Sequence, residues 1–96
     1  MAETNQVNEV VKTFLIKNKL GLHARAASQF VQVANSFDSD IFVTKSAQEV
    51  NGKSIMGILI LAAAKGSEIT VKAVGADAAR AVGAIGELIE NKFGED

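Results

Sequence analysis

The run EITVKAV at residues 68–74 constrains the fold more than any other stretch of the chain. Ile69, Val71 and Ala73 fall on one side of an extended backbone and Thr70 and Lys72 on the other, so a strand here buries one face and wets the other. Strands of that kind build a sheet that is rich in antiparallel pairs and covered on one side only. The same period of two runs through Val10–Ile16, where Phe14 and Ile16 oppose Thr13 and Lys17. It recurs in IFVT at 41–44, where Ile41 and Val43 share a face. Gln48–Val50 is then the returning arm of a hairpin through Lys45–Ala47.

Elsewhere the period changes to that of a helix. Ala27, Phe30, Val31 and Ala34 mark one face of a helix over Ala24–Ser36. Ala78, Val82, Ile85 and Ile89 mark a second, with Asp77 as the candidate N-cap and Gly94 as its end. Between them, NGKS at 51–54 closes a turn and offers Ser54 as N-cap to an almost wholly apolar helix over Ile55–Ala64, ended by Lys65 and Gly66. Ile58, Leu61 and Ala62 suffice to cover a sheet, which leaves Ile55, Met56 and Leu59 toward the side or the outside. That surplus fits either a deeply buried short helix or an exposed apolar patch for partner docking. The order β-α-β-β-α-β-α describes one two-layer α+β domain, a sheet with helices on one face. Residues 1–9, MAETNQVNE, are polar and read as a flexible segment ahead of a domain over 10–93.

Composition removes whole classes of function. Ninety-six residues suit one domain. A net charge of −1 without any Lys/Arg block, and no tyrosine or tryptophan for stacking, argue against nucleic-acid binding. There is no cysteine, which excludes disulfides and thiol chemistry. One histidine without a tight carboxylate cluster gives no expectation of a metal, and no cofactor is expected. The longest apolar run, Ile58–Ala64, is too short to span a bilayer. No basic and apolar signal segment is seen at the start, so the cytoplasm is the expected compartment.

The single histidine lies in LGLHARAAS, residues 20–28, immediately before the first helix. A helix start offers unpaired N–H groups and a positive dipole end, which suit phosphate. The Ala24 and Arg25 amides would supply these groups, Arg25 adds a cation with a fork of donors, and Gly21 lets the backbone turn sharply into the site. By itself this pattern also fits an ordinary polar residue at a helix start, or a noncatalytic site for a small anion.

Taken together, LGLHARAAS, NGKSIMGILILAAAKGSEI (51–69) and VGADAARAV (74–82) resemble the histidine-containing phosphocarrier (HPr) family of the bacterial phosphoenolpyruvate-dependent sugar phosphotransferase system. The likeness runs from about Val10 to Phe93, in the right order and spacing. It implies an open-faced β-sandwich, a four-stranded antiparallel sheet under three helices. It implies that His23 accepts a phosphoryl group on Nδ1 from phosphorylated enzyme I and passes it to enzyme II A components, with Arg25 stabilising the phosphate. Ser54 matches the serine that a dedicated HPr kinase/phosphorylase modifies in many members. Leu22, Ile55, Met56 and Leu59 match the partner-docking patch. Such a protein is a monomeric stoichiometric carrier rather than a true catalyst, serving sugar uptake and its regulation. A nitrogen-branch phosphocarrier, or a regulatory module acting through Ser54 and the apolar patch, are the alternatives. One departure stands at Ala26, where the family most often has proline; a slightly looser helix start is the expected consequence.

Overall fold

The computed structural model describes residues 8–95. Strand β1 (Glu9–Leu15) is followed by helix α1 (Ala24–Asn35), the hairpin of β2 (Asp40–Lys45) and β3 (Gln48–Asn51), helix α2 (Ile55–Ile60), strand β4 (Glu68–Val74) and helix α3 (Ala78–Glu90). A 3₁₀ turn over Lys92–Gly94 follows α3. The sheet order is β1-β4-β2-β3 and every pairing is antiparallel. The strand with the cleanest alternation, β4, is an inner strand: Val71 lies opposite Lys12 on one side and Val43 on the other.

One face of the sheet carries the core. Phe14, Ile41, Val43, Ile69, Val71 and Ala73 are buried there with Phe30, Ile58, Ile85 and Ile89 from the three helices. The opposite face is open, with the Thr13 and Thr70 hydroxyls 3.0 Å apart and the Lys72 ammonium 5.1 Å from the Phe42 ring centre. The open-faced four-stranded architecture is therefore as expected. Of the expected flexible segment, Glu9 opens β1 and pairs with Val74, and the Asn8 carbonyl accepts from Gly75 N at 2.8 Å; residues 1–7 lie outside the described residues.

Three local expectations need correction. Helix α2 does not run to Ala64 but ends at Ile60, because Ala62 turns into the left-handed region (φ 49°). The carbonyl of Ala63 then accepts from the Leu22 amide at 2.9 Å. A tertiary hydrogen bond thus overrides the helix propensity of an alanine run, and Ala63 rather than Ala62 enters the core. Asp77 occupies the N-cap position of α3 without capping it. Its carboxylate instead accepts from the Asp38 and Ser39 amides, both at 2.9 Å, and from the Ser39 hydroxyl. These donors, the Ser39 hydroxyl foremost, lower the Asp77 pKa to about 2. Finally, α3 stops at Glu90 rather than at Gly94. Lys92 and Phe93 both have positive φ (57° and 55°), a reversal that buries the Phe93 ring.

Candidate functional site

The site begins with the loop between β1 and α1. Ile16 continues the strand pattern past β1: its amide donates to Ser67 O and its carbonyl accepts from Gly66 N, each at 2.8 Å. Asn18 is fully buried and its Nδ2 donates to the Gly21 carbonyl at 2.8 Å, closing a tight turn. Gly21 has φ +67°, and a Cβ there would lie 2.4 Å from Ala63 O. Only glycine fits both the backbone and the space. The loop is thereby clamped against the segment after α2.

This clamp presents His23 at the N-cap of α1. Its carbonyl takes the first helical bond, from Ala27 N at 2.8 Å, but its side chain caps nothing. The N–H groups of Ala24, Arg25 and Ala26 precede that bond and have no partner within the helix. No acidic residue of the first turn offsets their positive end. Ala24 and Arg25 are exposed, whereas Ala26 is fully buried. Lys19, Leu20, His23, Arg25 and Glu95 line a cleft of about 400 Å³ in front of the helix start.

Two side chains of this site were not anticipated. Glu95 reaches it from beyond the 3₁₀ turn, one oxygen bonded to Asn18 Nδ2 at 3.0 Å and the other to His23 Nε2. The Asn18 amide first, and then the His23 ring, hold its carboxyl below the usual range, helped by the charge of Arg25. Asn18 lies in the turn ahead of the histidine, and Glu95 follows the 3₁₀ turn at the other end of the chain. Neither has a local signature, since the His23–Glu95 contact spans 72 residues of sequence.

The apolar residues expected at the surface divide into exposed and buried ones. Ile55 and Met56 are exposed (42% and 67%), which decides for a surface patch at this end of α2; Leu59 is half-buried and packs on the core. Leu22 does not belong to the surface: it is 4% exposed, because its amide bond to Ala63 turns the residue inward. Leu20, 66% exposed, lines the cleft in front of α1, and Ile60 is exposed at the end of α2. Ser54 is the N-cap of α2, its Oγ accepting from Gly57 N at 3.0 Å. Helix α2 packs against α1.

The family described as "PTS HPr component phosphorylation site" matches residues 10–91. The phosphocarrier protein HPr of Neisseria meningitidis is 55% identical over 80 residues, which cover 83% of this chain and 90% of that protein. The crystal structure of HPr from Thermoanaerobacter tengcongensis superposes with a TM-score of 0.86 at 49% identity, covering 93% of this chain and 98% of the other. That of HPr from Bacillus anthracis gives 0.82 at 46% identity, over 84% and 96% of the two chains.

Proposed function

This chain belongs to the HPr family of phosphotransferase-system phosphocarriers, and from that premise we propose that His23 is its phosphoryl acceptor. It takes the group from phosphorylated enzyme I and yields it to enzyme II A components, acting in the cytoplasm as a monomer. The observation that carries this reading is the arrangement at the start of α1: an imidazole released from capping, beside unpaired amides and the Arg25 guanidinium, facing one cleft. Phosphoryl transfer asks for in-line placement and for charge stabilisation. The Nδ1 lone pair forms the new N–P bond while the bond from phosphorus to the donor breaks, its electron pair leaving with the donor. The Ala24 and Arg25 amides and the Arg25 fork then receive the phosphoryl oxygens. That site is shallow and open, as suits an intermediate that must be given up again.

Ser54 serves as a regulatory site in this reading, and Ile55, Met56 and Leu59, extended by Leu20, as the docking surface for partners. Sugar uptake and its control are the processes served. Phosphoenolpyruvate and enzyme I are expected to load the wild-type protein, and an enzyme II A component to unload it. Arg25→Ala, with an unchanged circular dichroism spectrum, slows loading by roughly tenfold or more, since one charged donor to the transferring group is lost. Equal loading rates for the two proteins refute the role assigned to Arg25.

A further inference from the structure

Glu95 and His23 are both partly sheltered, their side chains 15% and 27% exposed. Oε1 of Glu95 accepts from Asn18 Nδ2 at 3.0 Å, and Oε2 meets His23 Nε2. The same Asn18 nitrogen donates to Gly21 O at 2.8 Å. Both of its hydrogens are thus committed, one to the loop that carries His23 and one to the carboxylate that faces it. The backbone before Glu95 is anchored by the buried Phe93 ring and by the Glu95 amide, which donates to Lys92 O at 2.8 Å. An ionised carboxylate has no proton to give, and the surrounding donors keep Glu95 ionised. The hydrogen between them therefore belongs to Nε2.

Resting on the acceptor reading of His23, we propose that Glu95 is a positioning residue: its carboxylate, oriented by Asn18, keeps the imidazole proton on Nε2 and leaves the Nδ1 lone pair free for the phosphoryl group. In a neutral imidazole one nitrogen holds the proton and the other the lone pair, and the partner of the first selects the second. When Nδ1 attacks, its lone pair becomes the N–P bond and the ring gains positive charge with the proton still on Nε2. The carboxylate against that nitrogen offsets the charge, the part a carboxylate plays behind a catalytic histidine. Glu95 thus acts at Nε2, the ring nitrogen away from the one that takes the phosphoryl group.

The test is nitrogen-15 NMR of the His23 ring in the full chain, at a pH where the ring is neutral, paired with single-turnover transfer from phosphorylated enzyme I. In the wild type Nε2 carries the proton and Nδ1 gives the signal of a bare ring nitrogen. In Glu95→Gln, whose amide accepts at one atom and donates at the other, the two tautomers mix. Transfer slows roughly fivefold, with the half-saturating concentration of enzyme I unchanged. Glu95→Ala gives the same mixing and guards against a peculiarity of the glutamine. An Nε2 proton held as firmly in both variants as in the wild type overturns the proposal. A wild type with that proton in place but unable to take a phosphoryl group overturns the acceptor reading instead, and leaves the proton placement standing.

Discussion

Gly21 shows how a residue without a side chain decides where the histidine stands. Its positive φ and its approach to Ala63 leave no room for a Cβ, so Gly21→Ala strains the backbone and pushes apart the two segments joined by the Leu22–Ala63 hydrogen bond. We expect a loss of more than about 1 kcal/mol in denaturant unfolding, and broadened or shifted His23 ring signals. A variant as stable as the wild type contradicts the clamp. At this scale the sequence was informative wherever chemistry and chain neighbourhood coincide. His23, Arg25 and Gly21 stand together in LGLHARAAS, and Ser54 stands at the head of its own helix. Asn18 and Glu95 escaped because their meaning lies in a contact between distant parts of the chain. Leu22 misled for the opposite reason: it neighbours the histidine in sequence, yet its side chain turns into the core and Leu20 takes the surface.

At the scale of elements, periodicity located β1, β2, β4, α1 and α3, turn and cap signals placed β3 and α2, and tertiary hydrogen bonds moved several of their ends. The apolar alanine run after α2 looks like more helix, but Ala63 is drawn off to hold the loop before α1. Asp77 looks like an N-cap and instead brackets the Asp38–Ser39 turn, while Gly75 (φ 151°) brings the chain so close that a Cβ would lie 2.5 Å from Ser39 Oγ. This bracket has a pH signature. The folded pKa of Asp77, about 2, lies below its ordinary 3.8. The stabilisation is therefore fully present above that ordinary value and is lost as the pH falls through the folded one. In Asp77→Asn this stabilisation is absent at every pH. Melting temperatures measured from pH 6 down to 2 should show the wild type ahead at the upper end and the gap closing below pH 4. A gap that is constant with pH contradicts an ionised bracket.

For the whole molecule, the open sheet is a platform whose helices gather two distant segments at one place: the β1–α1 loop with the start of α1, and the stretch after α3. Ser54 and the exposed Ile55 and Met56 lie on α2, which packs against α1. Phosphate on Ser54 brings about −1.5 to −2 charges to a helix start that already offers N–H groups, so the fold tolerates it. The same charge raises the desolvation cost of burying Ile55 and Met56 and repels acidic partner groups. Ser54→Asp should accordingly leave the circular dichroism spectrum intact and weaken binding to enzyme I in calorimetric titration, whereas equal affinity contradicts this account of the patch. The central claim, that the single histidine carries the phosphoryl group, is tested most directly by mass spectrometry after incubation with phosphoenolpyruvate and enzyme I. The wild type is predicted to gain one acid-labile phosphoryl group and His23→Ala none; a phosphorylated His23→Ala protein would contradict it.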